Sequence, residues 1–254
     1  MSLVKLQTTF ENCNSVLCIG LDVDAEVCKI NVEEISGFCL DIVYYANTQN
    51  LCFTFKLNYA FFSQYGIEGL EQMAFVIDKI KKENFVILDY KRADIPNTME
   101  RYAKECFDVF NADAATFVPF FGFESVLPLY KKAVEKDRLI YVIAKPTNKG
   151  AEEVVNARIN NDVLWESIIN NYSTQLQNIG FVVPPVLDVV KKYKDFVLLF
   201  PGVGKQGYDA TEVVKFLSWK HRINVSRAIL EVSSRKEREL IIDKFSRELK
   251  IVNV

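Results

Sequence analysis

The sequence contains only one histidine, His221, among its 254 residues. Hydrolases with a Ser-His-Asp or Cys-His mechanism would depend entirely on this residue. It lies in the polar segment 219–222, which predicts a connection from a helix to a strand with a solvated imidazole. If the protein is an enzyme, we therefore expect its acid–base groups to be lysine, aspartate or glutamate.

Patterns for metal binding are also missing. The six cysteines form no C-x-x-C pair, and most of them lie in apolar surroundings near the start of the chain. Such cysteines are typical of reduced, buried thiols in a cytosolic protein. With one histidine and this cysteine spacing, a closed zinc site is not expected. We predict no metal.

Long apolar runs and blocks of like charge are absent as well. No uninterrupted apolar stretch reaches the roughly 18 residues of a membrane span, and the first residues lack the apolar core of a signal peptide. The net charge is −2 without a basic cluster, so electrostatics indicate neither nucleic acid nor membrane as a partner. We expect a cytoplasmic protein.

The sequence does contain a regular alternation of short apolar runs with longer segments of helical periodicity. Parallel strands need crossover connections, so this alternation predicts a parallel sheet covered by helices. The number of strand candidates is typical of a single (β/α)8 TIM barrel, an α/β fold, and we expect residues 1–254 to form one such domain. The strand candidates are residues 16–22, 51–58, 85–91, 114–120, 139–145, 179–184, 196–202 and 223–229. The helix candidates include residues 64–82, 96–107, 122–135, 162–175, 210–219 and 234–249.

Ionisable residues stand near the ends of the first three strand candidates. Asp22 ends the first, Lys56 lies near the end of the second, and Asp89 and Lys91 end the third. Catalytic groups of a parallel barrel come from the carboxyl ends of its strands, and side chains two apart on a strand share a face. We therefore expect these groups to converge at the barrel mouth, with Asp94 in the following loop. An ammonium held among carboxylates can protonate a developing carbanion; a structural salt-bridge network is the other interpretation.

A glycine-rich segment follows the seventh strand candidate. Residues 202–207 fit the G-x-G-x-x-G pattern of dinucleotide-binding folds, but they come late in the chain, and the strand count disfavours an open sheet. Barrels commonly bind phosphate with the loops after strands seven and eight. Glycines let backbone N–H groups approach an anion, and Arg227 adds a guanidinium from the eighth strand candidate. We predict a phosphate site; the alternative is a tight turn beside a surface arginine.

Five motifs, in order along nearly the whole chain, carry a likeness to one enzyme family. Residues 20–24 read G-L-D-V-D, residues 55–62 read F-K-L-N-Y-A-F-F, and residues 88–98 contain D-Y-K-R-A-D-I-P-N-T. Residues 201–207 read P-G-V-G-K-Q-G, and residues 224–229 read N-V-S-R-A-I. Together they resemble the orotidine 5′-monophosphate decarboxylases, most closely the longer branch whose phosphate loop contains glutamine.

The resemblance implies decarboxylation of orotidine 5′-monophosphate to uridine 5′-monophosphate, the last step of pyrimidine nucleotide biosynthesis, without a metal or organic cofactor. Lys91 would protonate C6 of the pyrimidine, Asp89 would lie against the substrate carboxylate, and Lys56 would bridge Asp89 and the ribose. Asp94 would reach into the active site of a second subunit, so the resemblance implies a homodimer with shared sites.

The resemblance also implies which residues bind the rest of the substrate. The ribose would contact Asp22 and Asn58, and the pyrimidine would contact Thr147. The remaining expected contacts are Ile95 and Thr98 beside Asp94, and Pro201, Gly202, Gln206 and Arg227 at the phosphate.

Departures from the family pattern leave two other functions open. Residues 145–150 alter the family loop that contains Thr147, and the polar segment 147–161 predicts a long loop over the active face. A catalytically silent nucleotide-binding barrel would fit the altered loop. A metal-dependent sugar-phosphate decarboxylase or aldolase of the same superfamily shares D-x-K-x-x-D, but those relatives have an acid where this chain has Lys56.

Overall fold

A closed barrel of eight parallel strands forms the centre of the protein, as the sequence predicts. The structure, a computed structural model, describes residues 2–159, 161–204 and 210–251. The strands pair in the order β1-β8-β7-β6-β5-β4-β3-β2, and β2 pairs with β1 to close the ring. Their bounds are β1 Leu17–Gly20, β2 Thr54–Asn58, β3 Phe85–Arg92, β4 Ala114–Phe117, β5 Leu139–Ile143, β6 Ile179–Val182, β7 Val197–Phe200 and β8 His221–Val225.

Helices cover the outer face of the barrel, which is why the strand sequences are apolar on both faces. β7, for example, is buried at every residue. Among the described residues no helix is both long enough and apolar enough to cross a bilayer. The α-helices are α1 Ser2–Glu11, α2 Ala25–Cys28, α3 Ile35–Thr48, α4 Tyr59–Ser63, α5 Gly66–Ile80, α6 Pro96–Lys104, α7 Phe123–Glu135, α8 Glu152–Val155, α9 Leu164–Gln175, α10 Leu187–Tyr193, α11 Thr211–Val214, α12 Arg227–Leu230 and α13 Arg235–Glu248.

The amino-terminal helix α1 closes the bottom of the barrel. Arg222 of β8 is fully buried there, and its guanidinium donates to the carbonyl of Leu6 at 2.5 Å and to Thr9 Oγ1 at 3.1 Å, both on α1. A third bond runs to Thr54 Oγ1 of β2 at 2.8 Å. Burial lowers the pKa of Arg222, and these acceptors replace the water that the cation has lost. The opposite end of the barrel is left open.

The largest correction concerns the eighth strand, predicted at residues 223–229. It spans His221–Val225, so His221 lies fully buried on a strand and not in a solvated connection. Its ring packs 6.0 Å from that of Phe200. Arg227, expected on the strand, is the first residue of α12. Arg222 bonds to Leu6, Thr9 and Thr54, and His221 packs on Phe200. These partners come from other parts of the chain, and a local pattern cannot reveal them.

One further segment differs from the prediction. The loop expected at residues 147–161 contains a 3-10 turn at Lys149–Ala151, α8, and part of a small hairpin of Arg158–Ile159 with Asp162–Val163. The helix expected at 64–82 is confirmed as α5, and the short helix α4, which was not predicted, precedes it. Gly66 begins α5 with a left-handed φ of 68°. A glycine adopts that conformation without steric cost, so it permits α5 to begin directly after the turn at residues 64–65.

Candidate active site at the barrel mouth

A cavity of about 480 Å³ opens at the carboxyl ends of the strands. This volume lies within the range of small-molecule sites in proteins. Most of the residues singled out from the sequence line it, although they come from six different strands and their following loops. They are Asp22, Lys56, Asn58, Asp89, Lys91, Thr147, Pro201, Gly202 and Arg227.

Lys56 connects two carboxylates at the floor of this cavity. Its Nζ lies 3.1 Å from Asp22 Oδ1 and 2.9 Å from Asp89 Oδ2. Asp22 Oδ1 also accepts the backbone N–H of Asn58 at 3.0 Å, which ties the segment after β1 to the end of β2. All three charged side chains are almost completely shielded from solvent, with 5% of Lys56 and 11% of each aspartate exposed.

Lys56 and Asp89 hold each other ionised. Burial alone would lower the pKa of Lys56, but the charges of Asp22 and Asp89 outweigh burial and raise it above its ordinary value. Burial alone would raise the pKa of Asp89, but Lys56 and Lys91 outweigh it and lower that pKa well below its usual range. Asp89 is therefore a carboxylate and Lys56 an ammonium throughout the physiological pH range.

Lys91 brings a second ammonium to the same carboxylate. Its Nζ lies 2.5 Å from Asp89 Oδ1, and 48% of its side chain is exposed. Asp89 and Lys91 both line the cavity, as expected from their spacing, although β3 is irregular at this point. Lys91 has a left-handed φ of 49°, and the register with β4 shifts between Leu88 and Arg92.

Arg92 anchors the chain directly after Lys91. Its guanidinium carbon lies 4.5 Å from the ring centre of Tyr59, 4.4 Å from that of Tyr90 and 4.9 Å from that of Tyr102. Contacts of a cation with aromatic faces at these distances are stabilising. Three tyrosine rings thus hold the residue that separates the charged group from the following loop.

The loop and helix after Arg92 contain Asp94, Ile95 and Thr98. None of these three residues lines the cavity of its own chain. The carboxylate of Asp94 accepts the backbone N–H of Ile95 at 2.7 Å. Ile95 is the N-cap of α6 and 56% exposed, and Pro96 occupies the first turn, where its missing N–H has no cost. The structure does not bring these residues together with Asp89 and Lys91 within one chain.

The opposite side of the cavity carries the expected phosphate residues. Gly202 and Gly204 have left-handed φ values of 91° and 90°, which a residue with a side chain rarely adopts. A Cβ at Gly204 would also lie 3.2 Å from that of Ala228. Arg227 is exposed at the start of α12 and lines the cavity. Gln206, expected in the same loop, lies outside the described residues.

The structure adds cavity residues that sequence reasoning did not single out. Thr116 of β4 lies beneath Asp89, and Asn224 and Ser226 lie at the end of β8. Thr116 lies in the segment Ala114–Phe117, which contains no ionisable residue, so the search for charged strand ends did not identify it. Asn224 and Ser226 belong to the motif at 224–229 and could have been found there. The apolar part of the wall includes Phe61, Ile143, Val182, Leu199 and Val203.

This arrangement suits reactions in which negative charge develops on a carbon atom. Two ammonium groups and two carboxylates form one fixed, largely buried array, and one ammonium extends into the cavity. Preorganised charges of this kind stabilise a developing charge without reorganising during the reaction.

Comparison with known proteins gives a consistent assignment. The model of the orotidine 5′-phosphate decarboxylase / HUMPS family matches residues 15–238. The chain is 34% identical over 247 residues to an orotidine 5′-phosphate decarboxylase of Ralstonia nicotianae, covering 91% of this chain and 89% of that protein. The structure of Leishmania donovani UMP synthase superposes with a TM-score of 0.83 at 27% identity, over 96% of this chain and 54% of that one. The orotidine 5′-monophosphate decarboxylase of Methanocaldococcus jannaschii, solved with the inhibitor BMP, has a TM-score of 0.71 at 23% identity over 93% and 99% of the two chains, a likeness of fold.

Proposed function

The chain belongs to the orotidine 5′-phosphate decarboxylase / HUMPS family, and on that premise we propose that it decarboxylates orotidine 5′-monophosphate to uridine 5′-monophosphate in pyrimidine nucleotide biosynthesis. The enzyme is a carboxy-lyase. In the reaction the bond between C6 and the carboxylate breaks, carbon dioxide leaves, and the electron pair stays on C6. A proton from Lys91 then completes the product, and solvent returns a proton to the amine.

One observation carries this proposal. The ammonium of Lys91 extends into the cavity, and its partner Asp89 is held in place by the buried Lys56. The carbanion at C6 is localised and has no electron sink, so a positive charge fixed beside it is the available means of stabilisation. The contact of 2.5 Å with Asp89 directs Lys91, and Lys56 holds the other oxygen of Asp89 at 2.9 Å. The donor is thus oriented before substrate binds.

Asp89, Lys56 and Asp22 have supporting parts in the proposed reaction. Asp89 lies against the substrate carboxylate, Lys56 bridges Asp89 and the ribose, and Asp22 and Asn58 bind the ribose hydroxyls. Support comes from the position of all four on the cavity wall.

Groups remote from C6 bind the rest of the nucleotide. Thr147 contacts the pyrimidine, and the phosphate lies among Pro201, Gly202, Gln206 and Arg227. The left-handed glycines and the arginine at the cavity wall support the phosphate assignment. Binding energy from this phosphate can hold the pyrimidine against the charged array, where it lowers the barrier to decarboxylation.

The position of Lys56 favours this reaction over a metal-dependent one on a sugar phosphate. Its ammonium lies between the carboxylates of Asp22 and Asp89, where it would repel a divalent cation. Among the described residues, no group of three or more His, Cys, Asp and Glu side chains is arranged to hold a metal. We propose a reaction without metal or organic cofactor.

Absorbance spectroscopy of orotidine 5′-monophosphate with purified protein and excess chelator tests the activity. We expect turnover that survives chelation, and a loss of about 10³-fold or more in kcat for Lys91→Ala, because the proton donor is gone. Full activity of Lys91→Ala would refute the mechanism. Binding of the nucleotide without turnover would identify a silent barrel, and metal-dependent turnover of a ketose phosphate would identify the sugar-phosphate reaction.

We further propose a homodimer in which Asp94, with Ile95 and Thr98, completes the active site of the other subunit. Asp94 lies near the mouth but outside the cavity of its own chain. Ile95 is 56% exposed, and Phe120, in the turn after the neighbouring strand β4, is 82% exposed. An acidic residue outside the cavity, together with exposed apolar side chains on the segments that follow the neighbouring strands β3 and β4, favours a contact with a second copy of the chain.

Mixing two inactive variants tests the shared site. Lys91→Ala and Asp94→Ala should each be inactive, whereas a mixed dimer contains one site with both residues intact. Random reassociation yields about half mixed dimers, each with one intact site of two, so about a quarter of wild-type activity should return. No recovery from variants that exchange subunits would refute the shared site. An Ile95→Asp variant should shift the protein to a monomer in sedimentation.

The remaining proposals concern location and domain organisation. All six cysteines are free thiols, five of them buried, which suits a reducing cytoplasm. We propose a cytoplasmic enzyme in which residues 1–254 form one domain.

A further inference from the structure

The strands β3 and β4 do not match residue for residue at the active site. Leu88 pairs with Ala115 and Arg92 pairs with Phe117, so residues 89, 90 and 91 all face the single residue Thr116. A bulge of this kind leaves backbone groups of the longer strand without ladder partners. Inside the barrel, where water is excluded, the backbone N–H groups among them need other hydrogen-bond acceptors.

The hydroxyl of Thr116 takes the place of the missing ladder partner. Its Oγ1 accepts the backbone N–H groups of Tyr90 and Lys91, both at 3.1 Å. The same hydroxyl donates to Asp89 Oδ1 at 2.9 Å. Thr116 is 1% exposed, so water does not compete for these bonds.

These three bonds use the full capacity of a hydroxyl group, which has two lone pairs and one proton. Because both lone pairs accept N–H groups from β3, the proton is directed to Asp89. One side chain thereby holds the left-handed backbone of Lys91 and the carboxylate that orients its ammonium. The position of Nζ relative to the cavity depends on both.

We propose that Thr116 is a positioning residue for the decarboxylation, acting through Asp89 and Lys91 and not by contact with the reacting atoms. The inference rests on the proposed function, since it assigns Lys91 the proton transfer. Without the hydroxyl, two buried N–H groups lose their acceptor and Asp89 loses a donor, so the bulge relaxes and the ammonium moves. A displacement of about 1 Å at such a group costs on the order of 10²-fold in rate.

Thr116→Val tests this directly, because it keeps the shape of the side chain and removes only the hydroxyl. We expect kcat for orotidine 5′-monophosphate to fall by about 10²-fold, with KM changed by less than about threefold, since substrate binding is left in place. Thr116→Ser, which restores the hydroxyl, should recover kcat to within about fivefold of wild type.

Thr54→Val is a matched control. Thr54 is a buried threonine of strand β2, 2% exposed, whose hydroxyl accepts from Arg222 at the closed end of the barrel. Its loss should lower the melting temperature and leave kcat unchanged. If Thr116→Val does not fold, Thr116→Cys carries the same comparison, because sulfur is only a weak acceptor.

The outcomes separate the two proposals. If the wild-type protein does not turn over orotidine 5′-monophosphate, the proposed function is wrong. If the wild type is active and Thr116→Val retains kcat, or loses activity through KM alone, the positioning role is overturned while the proposed function stands. A kcat loss equal to that of Thr54→Val at equal destabilisation would also overturn it.

Discussion

The buried imidazole of His221 makes the stability of this protein sensitive to acid. His221 is 0% exposed, and its Nδ1 accepts the backbone N–H of Ser218 at 2.8 Å. Protonation at Nδ1 would remove that acceptor and direct two N–H groups at each other. Burial, with the positive charges of Arg222 and Lys220, accordingly lowers the pKa of His221 from 6.5 to about 4.

The sign and size of the effect follow from these two values. Below about pH 6.5 the unfolded chain binds a proton at His221 that the folded protein does not, so the free energy of unfolding falls as the pH falls. At about pH 5 the loss relative to pH 7.5 is about 2 kcal/mol, and below pH 4 it levels off near about 3 kcal/mol.

Urea unfolding of the wild type and of His221→Asn at several pH values isolates this contribution. The asparagine side-chain oxygen replaces Nδ1 as acceptor but does not titrate, so effects of the carboxylates cancel between the two proteins. We expect the variant to be less stable at pH 7.5, and the difference to shrink by about 2 kcal/mol at pH 5. Parallel curves for the two proteins from pH 7.5 to pH 4.5 would refute the argument.

Two further predictions concern the cavity. Lys56→Met should abolish turnover and lower the free energy of unfolding by about 3 kcal/mol or more, because it leaves two buried carboxylates without their shared cation. Urea unfolding measures this loss, and a variant as stable as the wild type would contradict the prediction. Arg227→Ala should raise KM for orotidine 5′-monophosphate by about tenfold or more, because the phosphate loses a contact. The slow turnover of orotidine, which has no phosphate, should not change. Equal losses on both substrates would contradict the phosphate assignment.

Sequence reasoning worked best where the signal is local and repeated. The eight apolar runs predicted the barrel because a strand covered by helices must be apolar on both faces. Asp22, Lys56, Asp89 and Lys91 could be placed at the mouth because parallel strands deliver their carboxyl ends to the same edge. His221 was misplaced because its polar neighbours suggested solvent, whereas Ser218, Phe200 and Arg222 surround it in the barrel.

The array Asp89-x-Lys91-x-x-Asp94 shows which properties the sequence determines and which depend on the tertiary structure. The sequence alone determined which ionisable groups are present, their order and their two-residue spacing on a strand. Only the tertiary structure decided that three residues of β3 share Thr116 as partner, that Lys91 adopts a left-handed conformation, and that Asp94 lies outside the cavity of its own chain. The register of β3 depends on its pairing with β4, and the bonded residues Lys91 and Thr116 are 25 positions apart in the sequence. A local sequence pattern therefore cannot determine this register.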